Sequence, residues 1–251
     1  MDLNVDMGES YGRYKLGNDE EVMKYITSAN IACGFHAGDP LVMDQTVRLA
    51  ARYGVAVGAH TGLEDKRGFG RRRMDVTPEE LRCDTLVQLG ALDAVLKANG
   101  MSMQHVKPHG VLYRMVSDEE RYAEAYLDAV SLFNRDLFIL VPRDTLIWRR
   151  GVEAGLKMAA EILVDLSYDD EGNWVLERTK KARSPEEVAA RAVMVAKEGK
   201  IETVSGKSIA AEADTICCHG DSPNAADVVR KIREEFEKAG ILLEKLDSSG
   251  S

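Results

Sequence analysis

Ile26–Pro40, ITSANIACGFHAGDP, contains a strand, a loop and the first residues of a helix. Ile26–Cys33 is an apolar run of strand length, and the glycines that follow it predict a sharp turn. Asp39 before Pro40 is a typical N-cap followed by a proline at the first helical position, which predicts a helix over Leu41–Tyr53. The stretch is therefore a β-loop-α unit, the building block of folds with a parallel sheet.

The same alternation of a short apolar run and a longer helical pattern continues along the chain. Further helices are predicted after Thr77-Pro78-Glu79-Glu80, Ser184-Pro185 and Ser222-Pro223, which resemble helix starts. Seven strands are predicted, at Leu3–Asp6, Ile26–Cys33, Val55–Gly58, His105–Lys107, Leu137–Val141, Glu161–Asp165 and Thr215–Cys218. Because no Pro-, Gly- or Ser-rich linker divides the chain, we predict one α/β domain over residues 1–247 and a flexible tail at 248–251.

The composition excludes several classes of protein. The chain has 33 Lys and Arg against 42 Asp and Glu, a formal net charge of −9, so no nucleic-acid partner is predicted. The N-terminus is acidic and no 18-residue apolar run occurs, so neither export nor a membrane partner is predicted. The four cysteines form no C-x-x-C pair, which favours a reducing cytoplasm. We expect a cytoplasmic protein that acts on a small molecule.

Ionisable residues follow the predicted strands, at the ends that carry the active site in βα folds. Four of the five histidines lie at these ends, and alternation places His105 on the same strand face as Lys107. A single histidine at a strand end is more often a hydrogen-bonded turn residue, but so many charged groups on one rim favour a site. The rim residues are Asp6, Glu9, His36, Asp39, His60, Lys107, His109, Arg143, Asp144, Asp165, His219 and Asp221.

Three motifs make the chain similar to the LamB/YcsF family: DLNVDMGE at 2–9, SANIACGFHAGDP at 28–40 and KPHG at 107–110. GAH at 58–60, GFGRR at 68–72 and CHGD at 218–221 extend the resemblance over nearly the whole chain. The resemblance implies an irregular seven-stranded TIM-like (βα) barrel of the glycoside hydrolase/deacetylase type. It also implies ATP-dependent hydrolysis of the cyclic amide 5-oxoproline to glutamate, with ATP as cofactor and with partner subunits.

Opening a lactam needs a group that moves protons and a cation near the developing negative charge. We therefore assign Asp6 and His109 as candidate acid or base and Lys107 as the electrostatic group, all three catalytic. The remaining candidates are assigned to substrate binding: Asn4, Glu9, His36, Asp39, His60, Asp165, His219 and Asp221. Asn4 is expected deeper in the barrel than Asp6, and Asp2 is a candidate structural residue. No P-loop occurs, so ATP-binding residues are not assigned.

Other uses of these residues stay open. Asp6, His36 and His60 could supply ligands for a divalent metal, but no spacing separates such a site from an acid–base network, so no metal ligand is assigned and tightly held zinc is not expected. Arg71-Arg72-Arg73 could clamp an anion or simply pair with acidic residues. The alternative functions are a non-catalytic binding barrel and a metal-dependent carbohydrate deacetylase.

The sixth strand departs from the family pattern. The family tends to have Phe-Ala-Asp-Arg followed by Tyr, whereas this chain has Leu163-Val164-Asp165-Leu166-Ser167-Tyr168. Leucine at position 166 removes a cation that could hold a substrate anion, which predicts weaker or altered substrate use. The alternative is that Arg143 or Arg114 supplies a cation at the same place.

Overall fold

A closed barrel of seven parallel strands is the centre of the computed structural model, which describes residues 1–174 and 181–247. The predicted tail at 248–251 lies outside the described residues. The barrel order is β1–β2–β3–β4–β5–β6–β9. Its strands are β1 Asp2–Met7, β2 Ser28–Ala32, β3 Ala56–Thr61, β4 Met103–Pro108, β5 Phe138–Val141, β6 Lys157–Leu163 and β9 Thr215–His219. The α/β barrel and its seven predicted strands are confirmed.

Helices connect the strands and surround the barrel. The helices are α1 Asp19–Val22, α2 Pro40–Tyr53, α3 Pro78–Ala98, α4 Gly110–Asp118, α5 Glu120–Phe133, α6 Leu146–Glu153, α7 Pro185–Glu198 and α8 Ala225–Ala239. Asp39 and Ser184 cap α2 and α7 through their side chains, and Thr77 forms a capping box with Glu80 at α3, as their sequences predict. None of these helices is both long and apolar enough to cross a membrane.

Three local predictions are wrong in detail. The sixth strand ends at Leu163, so Asp165 lies in the turn beyond it, and it begins at Lys157 because pairing with β5 outweighs the weak strand propensity of Lys, Met and Ala. The last helix begins at Ala225 with Asn224 as N-cap, two residues after Pro223. The hairpin of β7 Lys200–Glu202 and β8 Ser208–Ala210 is not predicted, because its short strands lack an apolar run.

The barrel interior is polar, and the hydrophobic core lies between the barrel and the helices. On β1, Leu3, Val5 and Met7 belong to this core. The alternate residues Asp2 and Asn4 instead bond to side chains of neighbouring strands, and Asp6 bonds across the barrel to β4. Since strand residues alternate between faces, the apolar face supports the helices and leaves the other face for polar groups.

Candidate active site

Strand register brings the predicted rim residues together. Asp6 on β1 lies opposite His219 on β9, and His60 on β3 lies opposite Lys107 on β4. A cavity opens at this end of the barrel. Among the described residues it is lined by Asp6, His60, Arg71, Lys107, Pro108, His109, Gly110, Tyr113, Leu163, Leu166, Trp174 and His219.

Lys107 lies at the floor of the cavity between two carboxylates and is only 2% exposed. Its Nζ donates to Asp6 Oδ1 at 2.8 Å and lies 3.1 Å from Glu161 Oε1. Burial alone would lower the pKa of Lys107, but the negative charges of Asp6 and Glu161 outweigh it and hold that pKa well above its usual value. Burial would likewise raise the pKa of Asp6, yet the neighbouring His60 and Lys107 hold it well below its usual value. The pair is therefore charged at neutral pH.

Glu161 and Tyr113 complete this charged floor. The Tyr113 hydroxyl donates to Glu161 Oε2 at 2.6 Å, and burial followed by the charge of Glu161 raises the pKa of Tyr113 well above its usual value. Tyr113 therefore stays protonated and remains a donor. Cys217 Sγ lies 2.9 Å from Lys107 Nζ on the opposite side, and burial raises the pKa of this thiol well above its usual value.

Three histidines and a glutamate meet beside the lysine. His60 Nε2 lies 2.9 Å from His109 Nδ1, and the rings of His36 and His109 stack with centroids 3.7 Å apart. Glu9 Oε1 lies 3.7 Å from His36 Nε2 and 3.9 Å from His109 Nδ1. Burial, and then the neighbouring imidazoles, lower the pKa of both His36 and His109 well below the usual value, so both rings are neutral at pH 7.

His219 belongs to a separate pair on the other side of the cavity. Asp165 accepts from the His219 backbone N at 3.1 Å, and its Oδ1 lies 2.9 Å from His219 Nδ1. This contact turns His219 Nε2 toward Asp6, whose Oδ2 is 3.9 Å away. A carboxylate behind a histidine fixes the orientation and tautomer of the ring.

The three arginines of the 71–73 loop are paired with acidic residues. Arg71 Nη2 lies 2.7 Å from Asp221 Oδ2, Arg72 pairs with Asp65, and Arg73 Nη2 lies 2.7 Å from Glu119 Oε1. Of the three, Arg71 alone lines the cavity among the described residues. The arginines of this loop therefore pair with acidic residues, which is one of the two interpretations that the sequence leaves open. Asp221 is connected to the cavity by its ion pair with Arg71.

Six predicted site residues do not line the cavity. Glu9, His36, Asp165 and Asp221 each contact a residue that does, whereas Asn4 and Asp39 are bonded elsewhere. Asn4 is deeper in the barrel, as expected, where its Nδ2 donates to Thr215 Oγ1 at 2.7 Å. Asp39 is bound to backbone: its carboxylate accepts from the backbone N of Leu41, Val42 and Gly12, and its pKa is lowered by these bonds. The structure thus places Asp39 as a helix cap and does not bring it to the other site residues.

The sequence alone missed several residues of the site: Glu161, Tyr113, Cys217 and Trp174. A signal existed for Glu161, since a glutamate inside the apolar run of the sixth strand predicts a buried charge that needs a partner. Tyr113 follows His109 by one helical turn, which places both at the start of α4. The contacts of Cys217 and Trp174 arise from barrel closure and carry no local sequence signal.

Known proteins of one family are similar to this chain over nearly its whole length. The sequence profile of the LamB/YcsF family matches residues 1–250. The 5-oxoprolinase A subunit of Pyrococcus horikoshii is 48% identical, over 96% of this chain and 95% of that protein. The protein of the same name from Fusobacterium nucleatum is 45% identical, over 98% and 96%. The crystal structure of a lactam utilization protein from Thermus thermophilus superposes with a TM-score of 0.89 at 41% identity, over 98% of this chain and 99% of that one.

Proposed function

The chain belongs to the LamB/YcsF family, and we propose that it opens the lactam ring of 5-oxoproline by hydrolysis, coupled to ATP. Relatives that match nearly its full length are named as the A subunit of 5-oxoprolinase, and a structural neighbour is named a lactam utilization protein. These names support action together with other subunits. We place the reaction in the cytoplasm, where ATP is available.

The single observation that carries this proposal is the buried Lys107 at the floor of the cavity. Its ammonium group is 2.8 Å from Asp6 Oδ1, close to the space where a bound ligand would lie. A fixed positive charge in a water-poor site stabilises the negative charge that develops on an amide oxygen when water attacks the carbonyl carbon. An amide hydrolase needs such a group, whereas a simple binding barrel does not.

A five-membered lactam is a stable amide, so coupling to ATP would make it reactive. Phosphorylation of the amide oxygen turns the carbonyl carbon into a better electrophile for water. The carbon–nitrogen bond then breaks, and the ring nitrogen takes a proton and becomes the amino group of glutamate. Cleavage leaves the phosphoryl group on the new carboxyl group as an acyl phosphate, which a second water molecule hydrolyses to the carboxylate and phosphate. The balanced overall reaction converts 5-oxoproline, ATP and two water molecules to glutamate, ADP, phosphate and a proton.

We propose Asp6, Lys107 and His109 as the catalytic groups of this reaction. Lys107 supplies the positive charge, while Asp6 and His109 accept and return protons. The substrate would be held by the surrounding polar residues: His60 and His219 line the cavity, Glu9 and His36 lie beside His109, and Asp165 and Asp221 pair with His219 and Arg71. Asp39 is not part of this proposal, because it caps α2.

The test is turnover by the purified chain mixed with the remaining subunits of the 5-oxoprolinase of Pyrococcus horikoshii. We expect glutamate and ADP to be released only when the chain, those subunits, 5-oxoproline and ATP are all present. A mixture that lacks this chain is the control for background ATP hydrolysis. Binding of 5-oxoproline without any glutamate release would instead favour the non-catalytic binding barrel.

A further inference from the structure

We propose that Glu9, His36, His60 and His109 bind one divalent transition-metal ion of the zinc type. This inference does not depend on the 5-oxoproline proposal, because it is argued from buried side-chain atoms that lack hydrogen-bond partners. One potential ligand atom from each residue lies within 4.8 Å of the others, and all four residues are buried. Three imidazoles and one carboxylate form a ligand set that suits zinc and its neighbours in the first transition row.

The first argument comes from the protons of His60 and His109. His60 Nδ1 lies 3.2 Å from the carbonyl oxygen of Lys107, and His109 Nε2 lies 2.8 Å from the carbonyl oxygen of Phe69. A carbonyl only accepts hydrogen bonds, so each of these nitrogens carries the proton of a neutral ring. The two remaining nitrogens, His60 Nε2 and His109 Nδ1, then face each other at 2.9 Å with lone pairs on both.

Two lone pairs at this distance repel unless a positive species lies beside them. A metal ion does this well, because it accepts both lone pairs and leaves the outer N–H groups on their carbonyls. Backbone carbonyls behind histidine ligands commonly fix the tautomer of the rings in a metal site. Asp6 adds negative charge beside the pair, since its Oδ2 lies 3.3 Å from His60 Nε2.

The second argument is independent and comes from His36. Its side chain is fully buried, yet among the described residues neither Nδ1 nor Nε2 has a hydrogen-bond partner. A buried polar atom without a partner is destabilising, so native proteins rarely keep one without a reason.

A bound proton is the rival explanation and accounts for fewer observations. One extra proton on His60 Nε2 would be donated to His109 Nδ1 or to Asp6 Oδ2, but it would leave both nitrogens of His36 without partners in the described part of the chain. A metal ion would take the lone pairs of the pair and, once the His36 ring turns out of its parallel stack on His109, a lone pair of His36 and one of the nearby Glu9 as well. When bound, the ion would act as a Lewis acid toward a substrate oxygen; His109 would then serve as a ligand, and Asp6 would remain the proton acceptor.

The experiment is equilibrium binding of Zn²⁺ to protein freed of metal with a chelator, measured by calorimetry and by metal analysis after dialysis. We expect one equivalent bound, and Co²⁺ in its place should give the visible absorption of a nitrogen- and oxygen-ligated ion. His36→Ala and Glu9→Gln should each weaken zinc binding by about a hundredfold or more, since even changes behind a ligand cost about 10–100-fold. The matched control is His219→Gln, which should bind as wild type because His219 pairs with Asp165 outside the cluster.

Circular dichroism and thermal melting of each variant separate lost binding from lost folding. Should His36→Ala fail to fold, Glu9→Gln carries the test alone. The proposal is overturned if the wild-type chain binds less than about a tenth of an equivalent of zinc, or if both cluster variants bind as tightly as His219→Gln. The binding experiment contains only the chain and the metal ion, so a failed 5-oxoprolinase assay would leave its result unaffected.

Discussion

Two polar layers inside the same barrel differ in how completely their buried side chains are hydrogen-bonded. The lower layer consists of Asp2, Asn4, Ser28, His105 and Thr215. The upper layer consists of Asp6, Glu9, His36, His60, Lys107, His109 and Glu161. Among these residues, the buried side-chain nitrogens and oxygens without a hydrogen bond all belong to the upper layer. They are both ring nitrogens of His36, and Glu161 Oε1, which keeps only an ion pair with Lys107 Nζ at 3.1 Å.

The lower layer resembles an ordinary structural network. Asn4 accepts from Asn30 Nδ2 at 2.7 Å, His105 Nε2 lies 2.7 Å from Asn30 Oδ1, and Asp2 accepts from the hydroxyls of Ser28 and Thr215. Satisfied buried groups stabilise one arrangement of a core, whereas charged and unsatisfied groups are kept at a cost in stability. We therefore expect the lower layer to stabilise the fold and the upper layer to take part in the reaction.

Replacing the central cation of the upper layer should have the largest effect. Lys107→Met keeps most of the side-chain volume but removes the charge that faces the cavity, so kcat should fall by about a thousandfold. Asp6 and Glu161 would lose their shared partner, and stability should fall by about 3–5 kcal/mol, as when one member of a buried pair is removed. Glutamate release and urea unfolding measure the two effects.

The matched lower-layer control is Ser28→Ala, which removes a hydroxyl 2.7 Å from Asp2 Oδ1. We expect a loss of about 1 kcal/mol in stability and turnover within about twofold of wild type. If Ser28→Ala reduced turnover as strongly as Lys107→Met, the division into two layers would be wrong.

Gly58 on β3 and Gly62 just after it test the comparison further. Gly62 packs against His36 of the upper layer, and Gly58 packs against His105 of the lower layer. A Cβ atom on Gly62 would lie 2.4 Å from His36 Nδ1, in the upper layer. Gly62→Ala should push this ring out of the cluster, and because a shift of about 1 Å costs up to about a hundredfold, kcat and zinc affinity should both fall. The clash should also lower the melting temperature, but by less than at Gly58, because the His36 ring has no hydrogen bond to lose within the described residues.

Gly58 is the equivalent position in the lower layer. A Cβ atom there would lie 2.1 Å from His105 Cδ2, inside a ring that the network holds in place. Gly58→Ala should therefore cost about 1–3 kcal/mol or more in stability, with turnover per folded molecule retained. The double variant Gly58→Ala with His105→Ala should recover part of the loss if the clash is the cause. If the double variant is no more stable than Gly58→Ala alone, the clash with His105 is not the cause of the loss.

The sequence predicts the upper layer better than the lower one, and the reason is physical. Asp6, His60 and Lys107 each lie one residue before the end of a strand, so the common edge of a parallel barrel is enough to bring them together. Glu161 lies inside a strand run, and its contact with Lys107 depends on barrel closure, which no local pattern specifies. Asp39 is the opposite case, because the Asp-Pro signal that predicts a helix cap already accounts for its carboxylate.

The stacking of His36 on His109 and the opposed nitrogens of His60 and His109 also lie beyond sequence analysis. They depend on side-chain rotamers and on two backbone carbonyls, those of Lys107 and Phe69, that belong to different segments. Strand ends predict which residues meet, but only coordinates show which of their atoms lack a partner. For this reason the sequence alone does not specify a metal ligand set.

The smallest predicted effect concerns Leu166, at the edge of the upper layer. Its side chain packs with Leu163, Cys217 and Trp174 and lines the cavity, so position 166 lies in the wall of the site. The cavity cations Arg71 and Lys107 both pair with carboxylates. Arg143 lies 3.9 Å from Glu212 and does not line this cavity, while Arg114 lies over the Trp174 ring at 5.5 Å.

Leu166→Arg would therefore add a cation to the apolar wall, where the carboxylate of 5-oxoproline could bind it. A charge-assisted hydrogen bond contributes about 1.5 kcal/mol or more, so KM for 5-oxoproline should fall by about tenfold with kcat nearly unchanged. Leu166→Met, which changes shape but not charge, is the control and should leave KM unchanged. A higher KM for Leu166→Arg than for Leu166→Met would mean that the substrate places an apolar group against this wall. In that case the anionic group of the substrate would bind to Arg71 or Lys107 instead. That cation would then have to release its carboxylate partner, Asp221 or Asp6.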